Sequence, residues 1–319
     1  MRDVVLSARE DLYVLGLPIR YETNWSPVLD AVRATVGVSG ARDPSRAGTS
    51  PVATIRFIRH GSEEPCDGRS RPVFRFPSPN RLLLFTSGSF GVAEVDRQEA
   101  YAYVTEQLVT DPQAFNRGFV ETLSLLLLKN HRFPVHAATI ARNGTAVLLA
   151  GASGYGKSTL AYAASRDGLD ALGDDIAHIQ LHPARRVWTL PSRYSLLRDV
   201  ARRWDELSSA VPTRLPTGKT KVVVQDDRWT SSNTVDSFGV CLLERGSGAA
   251  SLETIGSDEL KARLVGMNAP GFDIYSDDDR RSVLGAISEP GGWKLRLSRD
   301  PQDSLPLIHN MLSALDRGR

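Results

Sequence analysis

The sequence predicts an α/β chain in two parts, a smaller N-terminal α+β module over residues 1–110 and a larger domain over 111–319. Three observations lead there. The glycine-rich stretch GASGYGKSTL, from Gly151, follows an apolar strand-type run and opens a helical one. A second strand-type run precedes it, and Asn143-Gly144 stands between the two, the strongest short-range hairpin signal because both residues tolerate positive φ. The first hundred or so residues, in contrast, are mostly short β-type runs around one helix.

That helix is SPVLDAVRATVG, with Ser26 as N-cap and Pro27 at the first helical position. A loop of Gly, Ser, Pro and Arg follows, ARDPSRAGTSP. The strand-type runs VATIRFI, PVFRFP, RLLLFTS and FGVAEV come next, and DRQEAYAYVTEQLV has helical periodicity. Arg71, Arg75 and Arg81, around Phe74 and Phe76, suggest a sheet edge to which an extended acidic peptide could add; a module that only covers the larger domain or builds an oligomer is the alternative. A longer helix opens at Asp111 and runs through FNRGFVETLSLLLLKN. Beyond the glycine-rich loop, KSTLAYAASRDG reads as a helix closed by Gly168 and LDALGDD as a strand. IAHIQL and RVWTLP form a hairpin that includes His178 and His182. SLLRDVARRWDELSSA is helical. RLPTGKTKVVV leads from a loop into a strand, VDSFGVCLLE and ASLETI are strands, and SDELKARLVGM is a helix. DDDRR at 277–281 reads as a solvated turn, before a final strand WKLRLS and helix DPQDSLPLIHNMLSAL.

Composition narrows the classes. Apolar residues at 41% and charged residues at 24% are ordinary for a globular protein. Lys and Arg total 39 against 37 Asp and Glu, a net charge of +2. So small a field argues for neither nucleic acid nor a membrane surface as partner. Cys66 and Cys241 have no metal-site spacing and read as free thiols in a reducing cytosol. The N-terminus has no signal-peptide pattern, and the longest greasy run, Leu125 to Leu128, is far short of a membrane span. A cytoplasmic location is the expectation.

Residues 151–158 fit G-x-x-x-x-G-K-[ST] at every fixed position. Glycines at 151, 154 and 156 let backbone N–H groups wrap phosphate oxygens at a helix start. Lys157 would neutralise the β- and γ-phosphates and the Ser158 hydroxyl would ligate Mg²⁺. The expected nucleotide-binding set is Gly151, Ser153, Gly154, Tyr155, Gly156, Lys157, Ser158 and Thr159. The nucleotide is ATP or another NTP, and Lys157 is expected to stand exposed.

The loop is also similar to that of ABC-type ATPases, but neither an LSGGQ-like signature nor a later acidic strand end follows. Instead Asp174 and Asp175 come soon after the loop. Carboxylates at the end of a strand alongside the first would lie beside the γ-phosphate. One could hold the metal, here with Ser158, and the other could take the acceptor's proton. That one of them only caps a loop stays open. So do two other readings: a kinase for a small-molecule alcohol, and a nucleotide-gated binding module without transfer.

His136, the Asn-Gly hairpin, GASGYGKS and GDD together resemble the kinase domain of HPr kinase/phosphorylase and its relatives. The resemblance covers about residues 130–230. It implies a fold akin to the nucleotide domain of phosphoenolpyruvate carboxykinase, with Asp174 as general base, Asp175 on the metal side and His136 in the same charge network. It also implies a protein or peptide serine as acceptor and assembly as a homo-oligomer. The family's acidic, glycine-containing signature and a basic HPr-docking segment do not occur here. The pattern is closer to the divergent HPr kinase-related group, some of which phosphorylate the C-terminal serine of lasso-peptide precursors. Related kinases carry a functional basic loop after the acids, which points to PTGKTK: Lys219 and Lys221, not separable, would clamp the phosphates in the transition state. A solvated loop is the alternative.

Overall fold

The computed structural model describes residues 4–37, 50–61, 72–86, 88–190, 194–214, 220–224, 234–267 and 274–318. Cys66, Arg71, Lys219 and most of ARDPSRAGTSP lie outside these. The chain is a mixed α/β protein of two compact units, Met1–Arg132 with Phe272–Ser276, and Phe133–Gly271 with Asp277–Arg319. The division therefore falls after Arg132 and not at 110. The physical reason is that 111–132 is anchored in the first unit. Phe115 packs on Phe57 with ring centroids 5.3 Å apart, and the buried Tyr21 and Ser124 hydroxyls share a 2.8 Å hydrogen bond.

In the first unit the strands are β1 (Ala8–Val14), β2 (Leu17–Thr23), β3 (Ala53–Arg59), β4 (Val73–Ser78), β5 (Arg81–Thr86), β6 (Ser89–Glu94) and β7 (Glu99–Val104). They form one sheet in the order β1-β2-β3-β7-β6-β5-β4, with β4 at an edge. The first two strands, which no sequence signal above marks, turn on Leu15 and Gly16, both at positive φ (48° and 79°). EAYAYV is strand β7, not the expected helix. Its alanines and Val104 are buried while the tyrosines face outward, a period of two that outweighs helix propensity. Helix α1 (Pro27–Val32) starts at Pro27 as expected, but Ser26 is already helical and its side chain makes no cap bond. Short α2 (Glu106–Val109) is capped by the Thr105 hydroxyl. The Asp111 carboxylate accepts from the amides of Gln113 and Ala114. The helix it opens runs in wide π-type turns over Gln113–Glu121 and continues as α3 (Thr122–Leu127).

The second unit holds β8 (Phe133–Val135), β9 (Ala137–Arg142), β10 (Thr145–Ala150), α4 (Lys157–Arg166), β11 (Asp170–Gly173), β12 (Ala177–Gln180) and β13 (Arg186–Trp188). They are followed by β14 (Tyr194–Leu196), α5 (Arg198–Ala201), β15 (Thr213–Arg214), β16 (Thr220–Val224), β17 (Thr234–Val235), β18 (Ser237–Arg245) and β19 (Ser251–Ile255). The unit ends with α6 (Ser257–Met267), α7 (Asp277–Ser288), β20 (Gly292–Leu297) and α8 (Leu305–Arg317). The central sheet has the order β11-β9-β10-β18-β20-β19. Asn143 (φ 53°) and Gly144 (φ 76°) join β9 to β10, with Arg142 opposite Thr145, which is the hairpin the sequence predicts. β10 pairs parallel with β18, and β18 with β20. Two predicted elements change. SLLRDVARRWDELSSA contains β14, α5 and a 3-10 turn at Asp205–Leu207 in place of one helix. DDDRR opens α7, where Asp277, Asp278 and Asp279 favour the positive helix end, and Asp277 pairs with Arg280 and Asp278 with Arg281 at i,i+3.

A side chain at 144 would be forced into the left-handed region. Gly144→Val is expected to lower stability by about 1–2 kcal/mol, read by urea unfolding. Gly248→Ala, at a site where an added Cβ would meet nothing within 4 Å, should stay within about 0.5 kcal/mol of the parent. Equal effects of the two would contradict the tight turn.

Candidate functional site

Strand polarity collects the site. β10 and β18 run parallel and so end at the same edge of the sheet, as does β20. β9 runs antiparallel to β10, so it begins at that edge, with Ala137 opposite Ala150. β11 is antiparallel to β9 and again ends there. Hence His136 before β9, Gly151 after β10, Asp174 after β11, Arg245 at the end of β18 and Ser298 after β20 all emerge at one edge. This is the carboxyl end of parallel strands, where open α/β sheets bind ligands. β11 does not lie beside β10 as its position after α4 suggests; β9 intervenes, and a register shift between Ala171 and Gly173 leads toward the acids.

The loop has the conformation its glycines permit. Gly154 and Gly156 lie at φ 86° and 94°, and α4 starts directly at Lys157. A Cβ on Gly156 would come within 3.2 Å of Leu297 Cδ1, and one on Gly151 within 3.2 Å of Leu243 Cβ. Lys157 is buried at 6% exposure, not exposed as expected. Its Nζ donates to the carbonyls of Gly151 at 2.6 Å and Ala152 at 3.3 Å. Burial pulls the ammonium below the usual lysine range; Asp175 and Asp174 oppose this and Lys221 adds to it. Arg245 Nη2 donates to the Gly154 carbonyl at 2.5 Å, and the guanidinium lies 5.9 Å from the Tyr155 ring centre.

The two acids differ in setting. Asp174 is 4% exposed, and its Oδ2 accepts the Ser195 amide at 3.1 Å. The Asp175 side chain is 65% exposed and lies 3.1 Å from His136 Nδ1, which is also 3.0 Å from the Asp175 carbonyl. Both partners accept, so Nδ1 carries the proton in this contact. The His136 hydrogen bond holds the Asp175 carboxyl below its ordinary range, with Lys157 and Lys221 acting in the same direction.

Loop, acids, His136 and Lys221 line one cavity of about 670 Å³, all within the second unit. Lys219 lies outside the described residues. Three arginines that the sequence pattern does not single out, Arg203, Arg245 and Arg299, also line it. Arg245 carries a readable signal, since it ends the apolar run of a strand whose carboxyl end a phosphate loop would share. Arg203 and Arg299 follow irregular segments and carry none. A glycine cradle at a helix start with a buried lysine fits a polyphosphate. Among the described residues no cluster of three or more His, Cys, Asp or Glu forms a metal cage. A hydroxyl and a carboxylate suit Mg²⁺, which completes its shell with phosphate oxygens and water.

The arrangement is that of a glycine-rich loop facing an acid pair. No family model matches the chain, and no curated protein does. Among solved structures the chain is similar to the Hpr(Ser) kinase/phosphatase from Coxiella burnetii, at 12% identity and a TM-score of 0.29, over 58% of this chain and 95% of that one. Among the described residues no helix is long and apolar enough to cross a membrane.

Replacing Arg245 by Met removes a charged donor from the loop. Hydrogen exchange across 152–156 should then rise several-fold, as loss of a hydrogen bond worth about 1 kcal/mol requires. Unchanged exchange would mean that Arg245 does not hold the loop.

Proposed function

We propose that the chain is a phosphotransferase that moves the γ-phosphoryl group of Mg²⁺·ATP, or of another NTP, to a hydroxyl, with a serine of a peptide or protein as acceptor. The supporting observation is that Lys157 and the acid pair share one cavity and act on one another electrostatically. A phosphate held by the loop thus has carboxylates at its reacting end.

The acceptor oxygen bonds to the γ-phosphorus as the bond from that phosphorus to the β–γ bridging oxygen breaks. The nucleoside diphosphate leaves with the electron pair. The hydroxyl proton passes to Asp174, whose carboxylate is oriented by the Ser195 amide. Lys157 and the loop amides carry the charge on the transferring group. Asp175, kept anionic by His136 and two lysines, stands with Ser158 on the metal side. Mg²⁺, when bound, would offset the charge on the β- and γ-oxygens. Lys221 lines the cavity, and it belongs to the basic loop whose Lys219 and Lys221, not separated, clamp the phosphates in this reading. The resemblance in sequence to HPr kinase relatives adds a candidate acceptor, the C-terminal serine of a lasso-peptide precursor, together with homo-oligomeric assembly; a cytoplasmic location is the reading of the sequence itself.

Incubation with γ-labelled ATP and serine peptides should transfer label to serine. Lys157→Ala should abolish transfer with the circular dichroism unchanged. Asp174→Asn should still bind Mg·nucleotide but transfer about 10²-fold more slowly or worse, and Asp175→Asn should need more Mg²⁺. Near-normal turnover by Lys157→Ala contradicts the phosphate-loop assignment, and label that reaches only water or a small alcohol contradicts the acceptor class.

A further inference from the structure

Asp174, the proton acceptor of the proposed reaction, takes a hydrogen bond from a main-chain amide, that of Ser195. The amide belongs to β14, three residues at the edge of a small sheet in the order β14-β16-β15. Its side chains alternate as those of a strand do. Tyr194 and Leu196 are buried, as is Val222 opposite Leu196 on β16, while Ser195 between them lines the cavity. β16 has a partner on either side, with Lys221 opposite Thr213 of β15. Among the described residues β14 pairs with β16 alone. Three residues of ladder on one side are a weak hold, so the buried side chains decide where the Ser195 amide points.

The Tyr194 ring meets Tyr162 of α4 edge-on, with centroids 5.2 Å apart and planes at 78°. Tyr162 meets Trp204 in the same way, at 4.8 Å and 87°. Its hydroxyl donates to Glu206 Oε1 at 3.1 Å, and Arg166 Nε, one turn further along α4, lies 3.0 Å from the same oxygen. Edge-to-face pairs have a preferred geometry that plain apolar contact lacks, so this row of rings fixes an orientation and not only a volume. α4 is also the helix that begins at Lys157. One element thus carries the loop lysine at its start and, five residues on, the ring against which β14 is set. We infer that Tyr194, braced by Tyr162, is a positioning residue of the transfer step. It fixes the peptide unit before Ser195, whose amide then orients the Asp174 carboxylate for the acceptor's proton. This rests on the phosphotransferase reading above, with Asp174 as base.

Steady-state transfer by the full chain, from Mg·ATP to a peptide with a C-terminal serine, tests this. Tyr194→Leu keeps the site apolar but removes the ring. It should lower kcat about tenfold or more and leave KM for Mg·ATP within about threefold of the parent. Tyr194→Phe, which keeps the ring, should hold kcat within about threefold of the parent. In an Asp174→Asn background, Tyr194→Leu should cost less than about threefold further, because the group it positions has lost its function. Where Tyr194→Leu fails to fold, as judged by circular dichroism, Tyr162→Leu and Tyr162→Phe decide in the same way. Equal losses in the Phe and Leu variants, full additivity with Asp174→Asn, or unchanged kcat in a folded Leu variant overturns the positioning role while leaving the transfer reaction in place. Loss of the fold in both Leu variants makes the rings core packing alone and overturns it too. A parent that transfers no phosphoryl group overturns the phosphotransferase reading itself, and the positioning role with it.

Discussion

The two-residue turn at Asn143 and Gly144 is the constraint on which the rest of the second unit depends. It folds β9 back along β10 in a register that sets Ala137 opposite Ala150. His136 is thereby fixed next to the start of the glycine loop. Because β9 then serves as the antiparallel partner of β11 as well, the strand that ends in the acid pair is brought back to the same edge. In a sheet with β10 flanked only by parallel strands, no strand would begin beside the loop, and a histidine preceding one would lie at the opposite edge. Left-handed backbone at two successive positions thus decides which side chains share the cavity.

Charge at that edge follows from the same convergence. Lys157, Lys221, Arg203, Arg245 and Arg299 face two carboxylates across the cavity. The loop's amides and the start of α4 add partial positive charge. In a chain of nearly balanced overall charge, this cavity therefore carries a local excess of cations. Burial of Lys157 sharpens the point. An ammonium held among carbonyls at 6% exposure is stabilised by the loop itself, so the loop and its lysine form one prearranged unit and not a flexible tether.

Much of this edge is legible in the sequence because its signals are local and short in range. The Asn-Gly pair, the glycine spacing and the acids a helix-length later each need only a few neighbouring residues to specify their geometry. What the sequence hides depends on longer range. EAYAYV mixes the helix formers Glu and Ala with the strand formers Tyr and Val, and its place between β3 and β6, with Ala100 and Ala102 buried, decides for the strand. The helix of 113–127 falls on the far side of the domain division expected from sequence, yet Phe115 and Ser124 find their partners on β3 and β2. Arg203 and Arg299 are almost a hundred positions apart, and nothing local marks them as neighbours. The pairing of β11 with β9, and not with β10, is a tertiary choice of the same kind.

In the proposed reaction one sheet edge holds the phosphates, the metal and both acids. A crystal structure with Mn²⁺ and a non-hydrolysable ATP analogue, with the metal placed by its anomalous signal, tests this most directly. The metal is expected at about 2.1 Å from Ser158 Oγ, with the γ-phosphate against Lys157 and the acid pair on its open side. Phosphates bound away from residues 151–158, or a metal remote from both Ser158 and the aspartates, would contradict it.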